Sequence, residues 1–290
     1  MQQKRRILLI DTSGILYSAK YSLGKKKLSH NKIATGIIYG FLLKLQLLIR
    51  TAHPDLVVFA LDSKQSKRKD MYPNYKENRK ANKTPQEIKF DQIAYDQFNI
   101  ITQYVLPTLG YRNNFKVKGL EADDIIASIC KTYSDKGFEI IIASNDGDLY
   151  QLLSKNIAML TISKNRFFKK SDFIAKYGIQ PRFWKHIKAI CGCQSDNVKG
   201  IYMVGEIKAI KYYKNELPIH HKSFQSIVSS KGQSIIKRNK KLVHLPFAGT
   251  PKFKLKSNRV TKSKIKIIAK EFNIQSILHD IDTWYYKLRG

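Results

Sequence analysis

The sequence predicts an α/β protein built on a mostly parallel central sheet flanked by helices. Two observations carry that expectation. Short apolar runs over 7–10, 56–61 and 139–144 are separated by segments of helical periodicity. Runs this apolar suit strands covered on both faces, as strands of a parallel sheet are. Each run also leads into aspartate: Asp11 and Asp62 follow directly, and Asp146 and Asp148 come shortly after the third. In a parallel sheet all strand carboxyl ends lie on one edge, where ligands bind, so these acids would meet there.

Taken in order, the run at Ile7 reads as a buried strand followed by the polar turn Thr12-Ser13-Gly14. The basic start before it is followed by too few apolar residues for a signal peptide. Lys25-Lys26-Lys27 marks an exposed loop. Ile33, Ile37, Ile38, Phe41, Leu42, Leu45, Leu48 and Ile49 predict a core-facing helix to about Thr51, broken by His53-Pro54. After the second strand the composition changes. From Lys64 to Lys83 basic residues alternate with Tyr72 and Tyr75 and few residues are aliphatic, so this segment lacks the material for a core. Thr84-Pro85 signals an N-cap with proline in the first turn. Ile88, Ile93, Phe98, Ile101 and Val105 then carry a helix toward Pro107.

Glu121, Asp123 and Asp124 crowd the head of a helix running to about Tyr133, and the third strand follows. Past Asp148 the chain is expected to be helical and more basic. A helix over 183–190 ends at Gly192, and a polar turn then carries Asp196. A tight hairpin over 200–205 leads into a helix opened by Glu206. From Leu217 to Lys270 there is no Asp or Glu against 14 Lys and Arg, and Pro246, Gly249 and Pro251 imply a loop. A last, interrupted helical pattern lies around 265–281. The expected division is an α/β core over 1–180, with the basic segment at about 64–95, and a helical basic region over 181–290 packed on it.

The chain of 290 residues is long enough to bury a core. Its net charge of +31 says nothing about fold but points to a polyanion partner, nucleic acid foremost. No stretch of about 20 apolar residues is present, which excludes a spanning helix. Cys130, Cys191 and Cys193 make no disulfide framework and suit a reducing cytoplasm.

Carboxylates crowded in so basic a chain repel one another unless a cation sits among them. Acids in a first helical turn favour the helix dipole, and Asp146-Gly147-Asp148 is also an ordinary turn. Those bland readings cover one or two acids, not a set gathered from several strand ends. Oxygen ligands without His or Cys select hard cations, Mg²⁺ or Mn²⁺, and this many carboxylates suit two ions. Paired ions about 4 Å apart activate water and stabilise the leaving oxygen in phosphodiester hydrolysis. Glu121 and Asp124, three apart on a helix, can share a cation. Lys76 and Arg79, one helical turn apart, would set positive charge against a scissile phosphate. The run containing Tyr75 has the basic and aromatic make-up that grips a single strand, although such a run is usually a solvated loop. Cys191 and Cys193 with His220 and His221 fit no common zinc spacing.

With these residues in place, the chain resembles the flap endonuclease and 5′–3′ exonuclease family, especially its stand-alone phage members. Ile10-Asp11 and Leu61-Asp62 look like the family's strand-end aspartates. Arg68 followed by Tyr72-Pro73-Asn74-Tyr75-Lys76-Glu77-Asn78-Arg79 resembles the signature that opens its helical arch. Glu121-Ala122-Asp123-Asp124 matches its acidic helix start, and Asp146-Gly147-Asp148-Leu149-Tyr150-Gln151-Leu152 its next acidic motif. Ser195-Asp196-Asn197 matches the end of another, and the stretch 200–209 looks like its helix-hairpin-helix. The resemblance implies a PIN-like sheet with an arch over the active site and a metal-dependent 5′ nuclease acting on flaps and duplex/single-strand junctions.

It further implies that Asp11, Asp62, Glu121, Asp123, Asp124, Asp146, Asp148 and Asp196 hold two Mg²⁺ ions, with Mn²⁺ able to substitute. Asp146 and Asp148 would act in catalysis with Lys76 and Arg79, which would stabilise developing charge. Arg68, Tyr75, Lys76, Arg79, Gly200, Gly205 and Lys208 would contact nucleic acid. The expected partner is flap or junction DNA, or an RNA–DNA hybrid during primer removal. The expected protein is a monomer of the cytoplasm (a host's, for a phage protein), working beside a separate replication machinery. Cys193 departs from the pattern by standing where an aspartate is usual, which would weaken the second metal site. That departure also favours the rival reading of a binding protein that lost its chemistry; a PIN-like ribonuclease is the other alternative.

Overall fold

The computed structural model describes residues 5–24, 26, 28–31, 33–80 and 84–290, with the side chains of Arg79 and Lys80 outside the description. Expectations for Lys25, Lys27 and Lys83 therefore fall outside the described residues.

Six strands form one sheet: β1 (Arg6–Asp11), β2 (Leu56–Leu61), β3 (Asn114–Lys116), β4 (Glu139–Ala143), β5 (Ile157–Thr161) and β6 (Arg166–Phe168), in spatial order β3-β2-β1-β4-β5-β6. All neighbours pair in parallel except β5 and β6. Alternation along the strands splits the core in two. Leu8, Ile10, Val57, Phe59, Ile141 and Ala143 face one side; Ile7, Leu9, Val58, Ala60, Ile140 and Ile142 face the other. The first side is covered by α1 (Thr12–Leu23) and α2 (Gly36–Ala52), and by the apolar residues of the C-terminal helices, among them Ile265, Ile268, Trp284 and Leu288. The second is covered by α3 (Ala122–Ser134), α4 (Trp184–Cys191) and Ile236, Leu242 and Val243 of α5 (Ser230–Val243). Burial on both faces is why the central strands carry almost no polar residue.

Three expectations change. Ile33 does not begin the second helix: it lies in a two-stranded ribbon, is exposed, and the helix starts at Gly36. The chain past Asp148 is not helical throughout, since β5 and β6 follow. The segment from Lys64 does supply core, because Arg68 and Tyr75 are 3% and 4% exposed. The helix predicted from Thr84 is present over Pro85–Ile100, with a complete capping box between Thr84 and Glu87. Ile88 and Ile93 face solvent, and its buried positions are Ala94, Gln97 and Phe98. Lys20 of α1 pairs with Asp91 and ties this helix to the core.

Candidate active site

Strand register brings the aspartates together. Asp11 ends β1 opposite Ala60, so Asp62, the first residue past the neighbouring strand, lies two positions further along, while Ile10 pairs with Ala143 on the other side. Asp11 also caps α1, accepting from the Gly14 N–H at 3.1 Å and from the Ser144 hydroxyl at 2.9 Å. Asp62 accepts from the Ala122 N–H at 2.9 Å and from the Ser13 hydroxyl at 2.6 Å, which docks the start of α3 on the sheet edge. Asp146 caps the 3-10 turn Gly147–Leu152, accepting from the Asp148 N–H at 2.8 Å. Asp123, in the first turn of α3, completes the group.

Asp11, Asp123 and Asp146 bear the electrostatic mark of crowding. Desolvation and the neighbouring Asp62 charge push the Asp11 carboxyl up to about 6. Desolvation, then Asp146 and Asp11, drives Asp123 well above the ordinary carboxylate range. Asp146 is raised by desolvation and by Asp148. Negative charge is costly here without a cation, and the donor set is all oxygen, so the chemistry of the residues fits a hard divalent ion.

A second group lies beside the first. Lys76 Nζ is 2.9 Å from Glu121 Oε2 and 3.8 Å from Asp196 Oδ1. The Tyr75 hydroxyl lies 2.9 Å from both Glu121 Oε2 and Asp196 Oδ2. Burial opposes ionisation of Glu121, but Lys76 and Arg68 outweigh it and hold the carboxyl below its usual range. Lys188 Nζ sits 3.1 Å from Asp148 Oδ1, and the Cys193 thiol donates to Asp148 Oδ2 at 3.3 Å. Desolvation, then Asp148 and Asp196, pushes the thiol up to about 12.

Asp124 is not brought to either group. Arg68 grips it with two hydrogen bonds of 2.6 and 2.7 Å, and the Phe247 and Glu121 N–H groups donate to its two oxygens. Glu121 and Asp124 do share a cation, but it is the Arg68 guanidinium, 3.7 Å from Glu121. Two expected nucleic-acid contacts are corrected by the same arrangement. Arg68 is spent on Asp124 and on the Leu242 carbonyl, and Tyr75 on two carboxylates, because buried polar groups must be paired. Lys76 and Arg79 do not share a helical turn: Lys76 is left-handed, with φ 56°, just before the 3-10 turn Glu77–Lys80.

In the hairpin, Gly200 is required by packing, since a Cβ there would meet the Cys191 carbonyl carbon at 2.1 Å. Gly205 caps the helix Glu206–Tyr213, and a Cβ there would meet nothing. Lys208 Nζ donates to the Met203 carbonyl at 3.0 Å, bracing a tip where Met203 takes φ 60° and Tyr202, Met203 and Ile207 are exposed.

Sequence reasoning missed Ser13, Ser66 and Ser144, whose hydroxyls reach Asp62, Glu121 and Asp11, and it missed Lys188. A serine next to a strand-end acid was the available signal for Ser13 and Ser144. Nothing in the pattern of α4 singled out Lys188.

The family model for the 5′–3′ exonuclease, N-terminal resolvase-like domain, matches residues 6–178. A 5′–3′ exonuclease of Aquifex aeolicus is 28% identical over 287 residues, covering 96% of this chain and 96% of its own length. DNA polymerase I of Streptococcus pneumoniae is 34% identical over 234 residues, covering 77% of this chain and 25% of the polymerase. Among solved structures, a complex of bacteriophage T5 flap endonuclease with DNA and metal ions superposes with a TM-score of 0.72 at 18% identity, over 97% of this chain and 100% of that one. The fold is therefore shared with that nuclease.

Proposed function

The chain belongs to the 5′–3′ exonuclease family, and from that premise we propose a structure-specific 5′ nuclease that hydrolyses phosphodiesters at 5′ flaps and duplex/single-strand junctions. The observation that carries this reading is the meeting of Asp11, Asp62, Asp123 and Asp146, from separate elements, at the carboxyl edge of the sheet with Lys76 close by. Divalent ions bound there, Mg²⁺ by preference with Mn²⁺ substituting, supply water activation and charge neutralisation. Asp11, Asp62, Asp123 and Asp146 hold one ion directly or through water, with Glu121 beside them. Asp148 and Asp196 hold the other.

The chain's own residues do the rest. Lys76 reaches the acids from the base of the arch and stabilises charge developing on the phosphate, with Arg79 contributing from the adjoining turn. The 5′ strand passes the arch at about 64–95. The hairpin with Gly205 and Lys208, in the basic region 181–290, holds the duplex. The acidless stretch 217–270 supplies positive charge for the phosphate backbone. The protein acts as a monomer in the cytoplasm beside replication proteins, on DNA flaps or RNA-primed hybrids.

The test is cleavage of end-labelled flap, nicked and single-stranded DNA with and without Mg²⁺. Cleavage near the junction is expected, abolished by chelation and by Asp146→Ala with Asp148→Ala. Retained cleavage in that double variant would sink the proposal. Tight flap binding without cleavage in Mg²⁺ or Mn²⁺ would replace it with a binding protein, the reading Cys193 favours. Equal cleavage of structureless RNA would replace it with a PIN-like ribonuclease.

A further inference from the structure

We propose that Asp148, Cys193 and Asp196 form a mixed sulfur–oxygen metal site that takes a borderline-soft divalent cation of the Zn²⁺ or Co²⁺ class in preference to Mg²⁺. The inference rests on the reading that this edge of the sheet holds metal, and it departs from that reading at the second position alone, where it replaces Mg²⁺.

Three facts support it. First, one oxygen or sulfur atom from each residue lies within 4.8 Å of the others, so a single ion can reach all three after small side-chain rotations. Second, Cys193 Sγ and Asp148 Oδ2 already stand 3.3 Å apart. Bond lengths of about 2.3 Å to sulfur and about 2.1 Å to oxygen give a tetrahedral edge of roughly 3.5 Å, close to that separation. Mg²⁺ instead demands oxygen at about 2.0–2.1 Å in octahedral geometry, and a thiolate cannot supply it. Third, the thiol has polar neighbours, although it is buried in the same core cluster as Cys130: its sulfur faces the Asp148 carboxylate and lies 3.0 Å from the Ser195 hydroxyl.

The competing contacts are explicit. Lys188 Nζ holds Asp148 Oδ1 at 3.1 Å, and the Tyr75 hydroxyl holds Asp196 Oδ2 at 2.9 Å. On the other oxygens, the Cys193 thiol itself donates to Asp148 Oδ2 and Lys76 Nζ stands 3.8 Å from Asp196 Oδ1, so a bound ion must displace the thiol proton and compete with Lys76. When the sulfur–metal bond forms, the thiol S–H bond breaks and its proton passes to solvent. No electron transfer is involved.

The test uses the whole chain stripped of metal and titrated with Co²⁺, read by the near-ultraviolet sulfur-to-cobalt charge-transfer band and by equilibrium dialysis. The band is expected to saturate at one ion per chain, to survive Cys191→Ser and to vanish in Cys193→Ser. Co²⁺ affinity should fall about tenfold or more in Cys193→Ser, the scale on which metal-site substitutions act. Mg²⁺ should displace Co²⁺ from Cys193→Asp at a concentration about tenfold or more below that needed for the unaltered chain. Co²⁺ bound without the band, a band that survives Cys193→Ser, or equal displacement by Mg²⁺ would each overturn the proposal. Should Cys193→Ser fail to fold, Cys193→Asp carries the same two readouts. Failure of this proposal and failure of the nuclease reading are distinguishable. A missing band with Mg²⁺-dependent flap cleavage intact refutes only the proposal, and an intact band without cleavage refutes only the nuclease.

Discussion

Replacing Asp11 with asparagine should stabilise the metal-free protein at alkaline pH and do nothing of the kind in acid. Asp11 is desolvated beside Asp62, and its carboxyl is raised from 3.8 to about 6. A folded-state value above the unfolded one means that the folded protein holds the proton more tightly. The group's contribution to stability is then fully present below about pH 3.8 and lost as pH rises through about 6. At about 1.36 kcal/mol per tenfold change in proton affinity, ionised Asp11 costs the fold about 3 kcal/mol above pH 7. Asparagine carries no charge and can still accept the Gly14 N–H, but it mismatches the Ser144 hydroxyl at a cost of about 1 kcal/mol. The net gain for Asp11→Asn at pH 8 in chelator is therefore about 2 kcal/mol, read as a higher urea midpoint by tryptophan fluorescence. At pH 4 the same substitution should be neutral or mildly destabilising. Adding Mg²⁺ at pH 8 should stabilise the unaltered chain and Asp11→Asn much less. A substitution equally destabilising at both pH values would refute the claim that crowded negative charge, awaiting a cation, defines this edge.

Three further outcomes follow from contacts already described. Arg68→Met strands the fully buried Asp124 carboxylate and should cost about 3–5 kcal/mol in denaturant unfolding, only part of it recovered by adding Asp124→Leu, which removes the charge but leaves the Phe247 and Glu121 N–H groups unpaired; a loss below about 1 kcal/mol for Arg68→Met would mean the pair is idle. Gly200→Ala forces a Cβ against the Cys191 backbone and should cost about 1–3 kcal/mol or more, whereas Gly205→Ala, with open space around it, should cost less than about 1 kcal/mol. With a net charge of +31, affinity for flap DNA should fall on the order of 10³-fold between about 50 and 200 mM salt, and a flat profile in fluorescence anisotropy would contradict phosphate-dominated binding.

The parts of the fold that were legible are those where burial leaves a one-dimensional trace. β1, β2 and β4 are central, covered on both faces, and so nearly all apolar; the aspartates at their ends stand out against them. β3 has three residues and one apolar side chain, Phe115, and no pattern could mark it. β6 is the other edge strand and has only three residues, and β5 is apolar over Ile157–Leu160, but its Ala and Met suit a helix as well as a strand, so it reads with the helical stretch expected past Asp148. In the site, residue types and spacing named the acids, but could not say which oxygens point at an ion and which at an arginine. Asp124 and Asp123 are neighbours in sequence and differ by one step around a helix; that rotation sends one to Arg68 and the other among Asp11, Asp62 and Asp146.

The segment after β2 carries the same lesson further. Its basic and aromatic residues read from sequence as a surface for nucleic acid. Yet Arg68, Tyr75 and Lys76 all turn inward, to Asp124, to Glu121 and Asp196, and to Glu121. The reason is electrostatic. The sheet edge and the start of α3 concentrate carboxylates that desolvation makes costly, and the nearest flexible cations and hydroxyl donors come from the segment that follows β2. This segment is thereby anchored to the acidic edge, through Arg68 to Asp124 and to the backbone of Leu242, and through Tyr75 to the turn carrying Asp196. The segment after β2, the start of α3 and the turn after α4 are thus held in one hydrogen-bonded unit. A charge introduced or removed at the carboxylates must be felt by that segment, and the same residues that look like a grip on nucleic acid keep the acidic edge intact.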